Sequence, residues 1–226
     1  MSPVYSAVCF ASRTARVPAT PLLRLRLPAR HQEALAELLP VLLCGEESAA
    51  LAFARFSRDN GFSQGARAEL ERISDDEQCH ERQLQALRQA LPPATADTEV
   101  RRAARRFFAC VAGGDPGEHF ARIAALDSGV CVLLGALRSR GAPLAADSTV
   151  SAILSRIHRD EARHVMAARR YTQLLLERGQ ARAITLEMRA RLAALLVLRS
   201  AAIETLGVNA DLLSRRLRSV PRTLFG

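Results

Sequence analysis

Hydrophobic and polar positions interleave along most of this chain in long stretches rich in Ala, Leu and Arg. These residues lose little side-chain freedom in a helical turn, and the runs of Val, Ile, Thr and Tyr that mark strands are absent. Clusters of Gly, Pro and Asn interrupt the stretches and place the helix ends. A first helix is predicted from about Pro28 to Asp59, stopping at Asn60-Gly61, and a second from about Ser63 to Leu91, ended by Pro92-Pro93. A shorter basic helix follows from about Thr98 to Val111, before the break at Gly113-Gly114-Asp115-Pro116-Gly117. A third long helix runs from about Glu118 to Ser139, and a fourth from about Ser148 to Arg178, with Gly179 as its stop. Two more occupy about 182–205 and 209–218. Short links make the first and second, and the third and fourth, long helices antiparallel hairpins, and the link between the pairs is long. The predicted class is all-α: a four-helix bundle with one long crossover and extra C-terminal helices.

Length and composition narrow this little further. With 226 residues, 49% of them apolar, the chain can bury one core, with a piece appended. The expected parts are a loosely ordered basic N-terminal arm (1–27), the bundle (28–180) and C-terminal helices packing on it (181–226). The formal charge is +9, and every basic residue is Arg. Because the arginines are spread along the chain, a solvated surface accounts for them better than a nucleic-acid site does, and nucleic acid is not expected as a partner. Five scattered cysteines (Cys9, Cys44, Cys79, Cys110, Cys131) form no CxxC pair and no disulfide framework, which fits a reducing, cytoplasmic setting. The N-terminus does not read as a secretory signal. No stretch reaches the roughly 18 uncharged apolar residues of a membrane span, so no membrane partner is expected.

Two segments carry the chemistry: Asp76-Glu77-Gln78-Cys79-His80 and Asp160-Glu161-Ala162-Arg163-His164. Residues three apart on a helix share a face one turn apart, so each Glu and His can reach one metal ion. The Asp before each Glu lies about 100° round the helix, too far for the same ion, but able to accept the second N–H of a ligand histidine on a facing helix. A two-metal site in a bundle also needs a carboxylate from each hairpin partner. Reflecting the midpoint of Glu77 and His80 through the turn near residue 62 leads to residue 46, where Glu46 and Glu47 stand. Reflecting that of Glu161 and His164 through the loop near 144–145 leads to Asp127, an acid in an otherwise apolar stretch. Glu118 is the alternative on that helix, although an acid just after a Gly-Pro break usually serves the helix N-terminus.

The twin Asp-Glu-x-x-His segments and their spacing resemble those of the ferritin-like non-haem di-iron carboxylate proteins, which include oxygenases and rubrerythrins. The resemblance covers about residues 30–178 and is motif-deep. It implies a ferritin-like bundle holding two Fe ions, with Mn or a mixed pair as variants, and O2 as co-substrate. The implied ligands are Glu77, His80, Asp127, Glu161, His164 and either Glu46 or Glu47. Glu47 is preferred because Glu-Ser-x-Ala followed by an aromatic resembles the first helix of rubrerythrins. The same likeness pairs Asp76 with His164 and Asp160 with His80. Asp127 departs from the family, whose third-helix ligand is usually Glu. Cys131 falls where several monooxygenases place a Thr facing the oxygen pocket, although a small buried Cys also serves as plain core. His158, one turn before Glu161, is either an extra ligand or a residue outside the site.

Within that family the double motif argues against simple iron storage. Leu84, where a radical Tyr commonly lies, argues against a radical generator, and no Cys₄ domain is present. The expectation is therefore a monooxygenase-type enzyme that hydroxylates, desaturates or N-oxygenates a small molecule, free or on a carrier protein, with an external electron donor and a homodimeric assembly. A rubrerythrin-like peroxide scavenger or iron-handling protein is the alternative. Arg101, Arg102, Arg105 and Arg106 beside Phe107 and Phe108 read either as a solvated face over an apolar anchor or as a dock for an acidic partner.

Overall fold

In a computed structural model the described residues are 23–94, 97–111, 113–220 and 224. Among them are eight α-helices and no strand. Helices α1 (Ala29–Phe56) and α2 (Gln64–Gln89) form one antiparallel hairpin, and α4 (Pro116–Leu137) and α5 (Ser148–Leu175) form the other. Between them α3 (Asp97–Ala109) crosses over and packs on α1. Helices α6 (Arg178–Val197), α7 (Ser200–Thr205) and α8 (Ala210–Arg218) close around α4 and α1. Most of the expected basic arm, residues 1–22, lies outside the described residues. Its last part is docked: Leu27 is buried, and the Arg26 N–H donates to Asp147.

Helix starts follow local chemistry. Side-chain oxygens of Ser63, Asp115, Asp147 and Asn209 accept backbone N–H groups in the first turns of α2, α4, α5 and α8, pairing donors that no carbonyl inside the helix can reach. Two boundaries differ from the predicted ones. Gly179 does not end α5: the chain turns at Leu176 and Glu177, both extended, and Gly179 falls in the first turn of α6. The expected helix over 182–205 is two, because Arg199 leaves helical geometry between α6 and α7.

The apolar core comes in two blocks along the bundle. One gathers Leu35 to Cys44 of α1 with Leu84, Leu87, Leu133, Leu154 and the helices α3 and α6 to α8. The other is more aromatic: Phe53, Phe56, Phe120 and Tyr171. Between the blocks, at one level of α1, α2, α4 and α5, lie Glu46, Glu77, His80, Asp127, Glu161 and His164, all buried. This polar layer interrupts the core.

Helix α4 is long and apolar enough to cross a membrane by length and composition, with a mean hydropathy of 1.7 over its most apolar 18 residues, although Arg122 and Asp127 keep it short of an uncharged span. Its apolarity serves burial from several sides, since α5, α6 and α8 all pack on it. Gly129 is where α6 comes closest: a Cβ there would lie 2.5 Å from Leu192 Cδ2.

One buried cation fastens the C-terminal helices. Arg189 of α6 is 0% exposed and, among the described residues, has no carboxylate partner. Its guanidinium donates to the Leu217 and Arg216 carbonyls at 2.6 and 3.0 Å, where α8 presents its negative dipole end, and to Ser128 Oγ at 2.7 Å. Removing a charged donor strands all three acceptors. Arg189→Met is therefore expected to lower unfolding stability in urea by about 2–4 kcal/mol. Arg189→Lys should recover only part, because one ammonium cannot reproduce the planar fork.

Candidate metal centre

The two Glu-x-x-His segments lie mid-helix on α2 and α5 and point at each other. His80 Nδ1 is 3.1 Å from Glu46 Oε2, 3.3 Å from Glu77 Oε2 and 3.7 Å from Glu161 Oε1. Glu46, Glu77, His80 and Glu161 each offer a ligand atom, all within 4.8 Å of one another. Across the layer, His164 Nδ1 lies 2.9 Å from Glu77 Oε1. Glu77 thus turns one oxygen toward each imidazole.

The outward nitrogen of each ring meets an aspartate from the opposite motif. His80 Nε2 lies 3.1 Å from Asp160 Oδ2, and His164 Nε2 lies 3.4 Å from Asp76 Oδ2. Such contacts orient each ring so that Nδ1 is the nitrogen that faces inward. Arg163, which sequence reasoning passed over, donates to both aspartates, at 3.2 Å to Asp76 and 2.7 Å to Asp160. Its position three residues after Asp160 was the available signal.

Among the described residues Asp127 Oδ2 is buried without a hydrogen-bond partner, and the Glu77 oxygens and His164 Nδ1, although close enough to pair as ions, make no hydrogen bond of good geometry. Unpaired buried polar atoms are costly, and these are ligand atoms aimed into a common space. A cation there would pair them. Carboxylates with imidazole and no thiolate form a donor set that suits Fe or Mn.

The electrostatics of the bare residues tell the same story. Burial, then the neighbouring acids, push Asp127 and Glu161 well above the usual carboxylate range, and burial does the same to Glu46 despite its hydrogen bond with His80. Burial opposes ionisation of Glu77 too, but His164 and His80 outweigh it and bring its pKa to about 2. Burial likewise works against a charged His80, yet Glu46 and Glu77 raise it to about 11.

Glu46 corrects the preference for Glu47. Glu47 lies about 100° round α1 and faces Glu81 with Arg101 and Arg105 of the crossover helix, outside the metal-ligand group. Asp127 is buried within the layer and interacts electrostatically with Glu77, Glu46 and Glu161, but stands outside the tight quartet. Cys131 keeps its proton, its pKa raised to about 12 by burial first and Asp127 second, and it does not line the cavity described below. His158 hydrogen-bonds the Cys131 backbone, away from the layer. Glu118 pairs with Arg122 in the first turns of α4.

Beside the layer, on the side of α1 and α4, runs a narrow cavity of about 40 Å³, partly open to solvent. Glu46, Glu77, Asp127 and Glu161 edge it, and the rest of its wall is mostly apolar, with Phe108 and Val111 from α3 and Leu192 and Leu196 from α6. An apolar pocket beside the metals is what the oxygenase expectation calls for, but the share of α3 and α6 in its wall was not legible in the sequence, because only tertiary placement creates it. No protein-family model matches the chain, and no curated protein is significantly similar to it.

Two outcomes follow for solution measurements. In anaerobic titrations with Fe(II) or Mn(II), Asp160→Asn should weaken binding by about 10- to 100-fold, Glu77→Ala should weaken it further, and Glu47→Gln should leave it unchanged. The metal-free chain should also lose stability as pH rises above neutrality. His80 contributes stability fully below 6.5, and that contribution fades as pH climbs toward about 11. Glu46, Asp127 and Glu161 likewise hold protons in the folded state that the unfolded chain has released, which gives the same sign. Glu77 acts oppositely, but only as pH falls from 4.5 toward about 2. A urea midpoint near pH 9 equal to that near about pH 6.5 would contradict this cluster.

Proposed function

We propose that this chain is a non-haem di-iron oxygenase or oxidase acting on a small, largely apolar organic substrate. The observation that carries the reading is Glu77, whose two oxygens approach two inward-facing imidazole nitrogens while an apolar cavity opens on the other side of the layer. Glu46, Glu77, His80 and Glu161 would hold the metal, with His164 and Asp127 completing the set of donors. The likeness of the twin motifs to di-iron carboxylate proteins supports the same reading.

Two ferrous ions would supply electrons to O2, and the carboxylate-rich ligation stabilises their oxidised state. The residues do the remainder. Asp160 and Asp76 hold the histidine rings in orientation, and Arg163 holds the aspartates. Ile123, Leu126, Val130 and Leu133 of α4 line the cavity and keep water from the reacting region. We further propose that electrons for turnover come from an external donor, and that α3 with its exposed arginines Arg102 and Arg106 is where an acidic donor or carrier protein would approach. A homodimer belongs to the same proposal.

The cavity favours this over a peroxide-scavenging or iron-handling protein, which needs no apolar chamber beside its metals. Metal analysis after anaerobic loading should find two Fe per chain, and oxygen uptake should accelerate with an apolar substrate and yield an oxidised organic product. Rapid peroxide consumption with no organic product would turn the assignment to the scavenger. Absence of bound Fe or Mn would end it.

A further inference from the structure

The cavity follows the bundle axis. Along α4 its lining runs from His119 to Leu133, fourteen residues or about 21 Å of helix. Apart from the carboxylates of the metal layer, its polar side chains are Ser48 and His119, and no Lys or Arg lines it. Ser48 lies two residues from Glu46, at the level of the layer. His119 lies eight residues before Asp127, about 12 Å away along α4, at the far aromatic end.

His119 is only 5% exposed, and among the described residues its ring meets an aromatic neighbour but no hydrogen-bond partner. Phe56 packs edge-on against it at 5.1 Å, which fixes the ring plane. Burial, with Arg122 and Arg55 nearby, lowers its pKa to about 4, so the ring is neutral at ordinary pH. A neutral imidazole offers one donor and one acceptor, the complement of a hydroxyl, or of a carbonyl through its N–H alone. A ligand oxygen at this point of a mostly apolar wall would give the ring a hydrogen-bond partner that none of the described residues supplies.

We propose that His119 is the specificity-determining residue of this cavity, and that it takes an uncharged oxygen function, hydroxyl or carbonyl, at one end of an otherwise apolar, elongated substrate. The inference rests on the oxygenase reading for the identity of the occupant as substrate. With the oxygen function held at His119, the part of the molecule beside the metal layer is a carbon about 12 Å further along the cavity. A carboxylate or ammonium end is disfavoured, because the lining holds no cation for the first and His119 no charge for the second.

Calorimetric titration of the full chain, metal-free and metal-loaded, with decanol, decanal, decane, decanoate and decylamine tests this without turnover. Decanol and decanal are expected to bind about tenfold more tightly than decane. His119→Phe, which keeps an aromatic ring among Phe56 and Phe120, should bring decanol to the affinity of decane, and His119→Gln should keep part of the preference. Thermal melting of both variants checks the fold. An alcohol preference that survives His119→Phe overturns the proposal. So does tighter binding of decanoate than of decanol, or no binding of any of the probes. Metal content is measured on the same samples: loss of metal binding with the alcohol preference intact refutes the oxygenase reading alone, and the reverse refutes only the role of His119.

Discussion

Four carboxylates and two imidazoles buried at one level of a helical bundle cannot all carry the charges they would have in water. Moving an ionised carboxylate out of solvent is costly unless a counter-charge and hydrogen bonds meet it. Here two histidines face four acids, so Glu77 can be ionised at the expense of Glu46, Asp127 and Glu161, which burial drives toward their neutral forms. The layer splits the apolar core into two blocks and leaves Asp127 Oδ2, among the described residues, without a hydrogen-bond partner. Core side chains of similar volume would stabilise the bundle better. An arrangement that costs stability in the metal-free chain is intelligible when a cation supplies the missing positive charge, and binding then releases the protons that the bare acids retain.

That requirement gives the bundle two unlike sides. On the side of α2 and α5, Asp76, Asp160 and Arg163 form a hydrogen-bonded rim that reaches solvent and fixes both rings from outside. On the side of α1 and α4 the wall is apolar, and the space between these helices is closed from above by α3 and α6 rather than by their own side chains. The C-terminal helices are therefore part of the chamber. Gly129 lets Leu192 reach into the wall, and Arg189 ties α6 to the end of α8 and to Ser128, the residue after Asp127.

Much of this was legible in the residues. Helix breakers give the hairpins, and reflecting each Glu-x-x-His through its turn gives the level of the opposing acid. Reflection specifies height along a helix, not rotation about it. Glu46 and Glu47 share a height but lie about 100° apart, and the fold turns Glu46 into the layer and Glu47 toward Glu81, Arg101 and Arg105. For the same reason Cys131 could be placed one turn from Asp127 without revealing that it stays off the cavity wall. Gly179 misled because glycine is equally at home just after one helix and in the first turn of the next. An apolar pocket beside the metals could be expected, but its lining and the place of His119 in it were out of reach, since no local pattern tells which residues of four distant helices will share an empty space.

Asp127 joins the two sides. It is buried in the acid layer, its Oδ2 has no hydrogen-bond partner, and it also edges the cavity. A glutamate would carry its carboxylate one methylene further across the layer, toward the quartet formed by Glu46, Glu77, His80 and Glu161. The shorter side chain keeps the charge nearer the α4 wall, which agrees with its position outside that quartet. Asp127 thus edges the chamber from the α4 side, as Glu46, Glu77 and Glu161 do from their own helices. Ser128 behind it is held by Arg189, so the backbone carrying this short side chain is anchored from the C-terminal helices. A ligand with less reach depends more on the position of its helix, and here α6 and α8 supply that position.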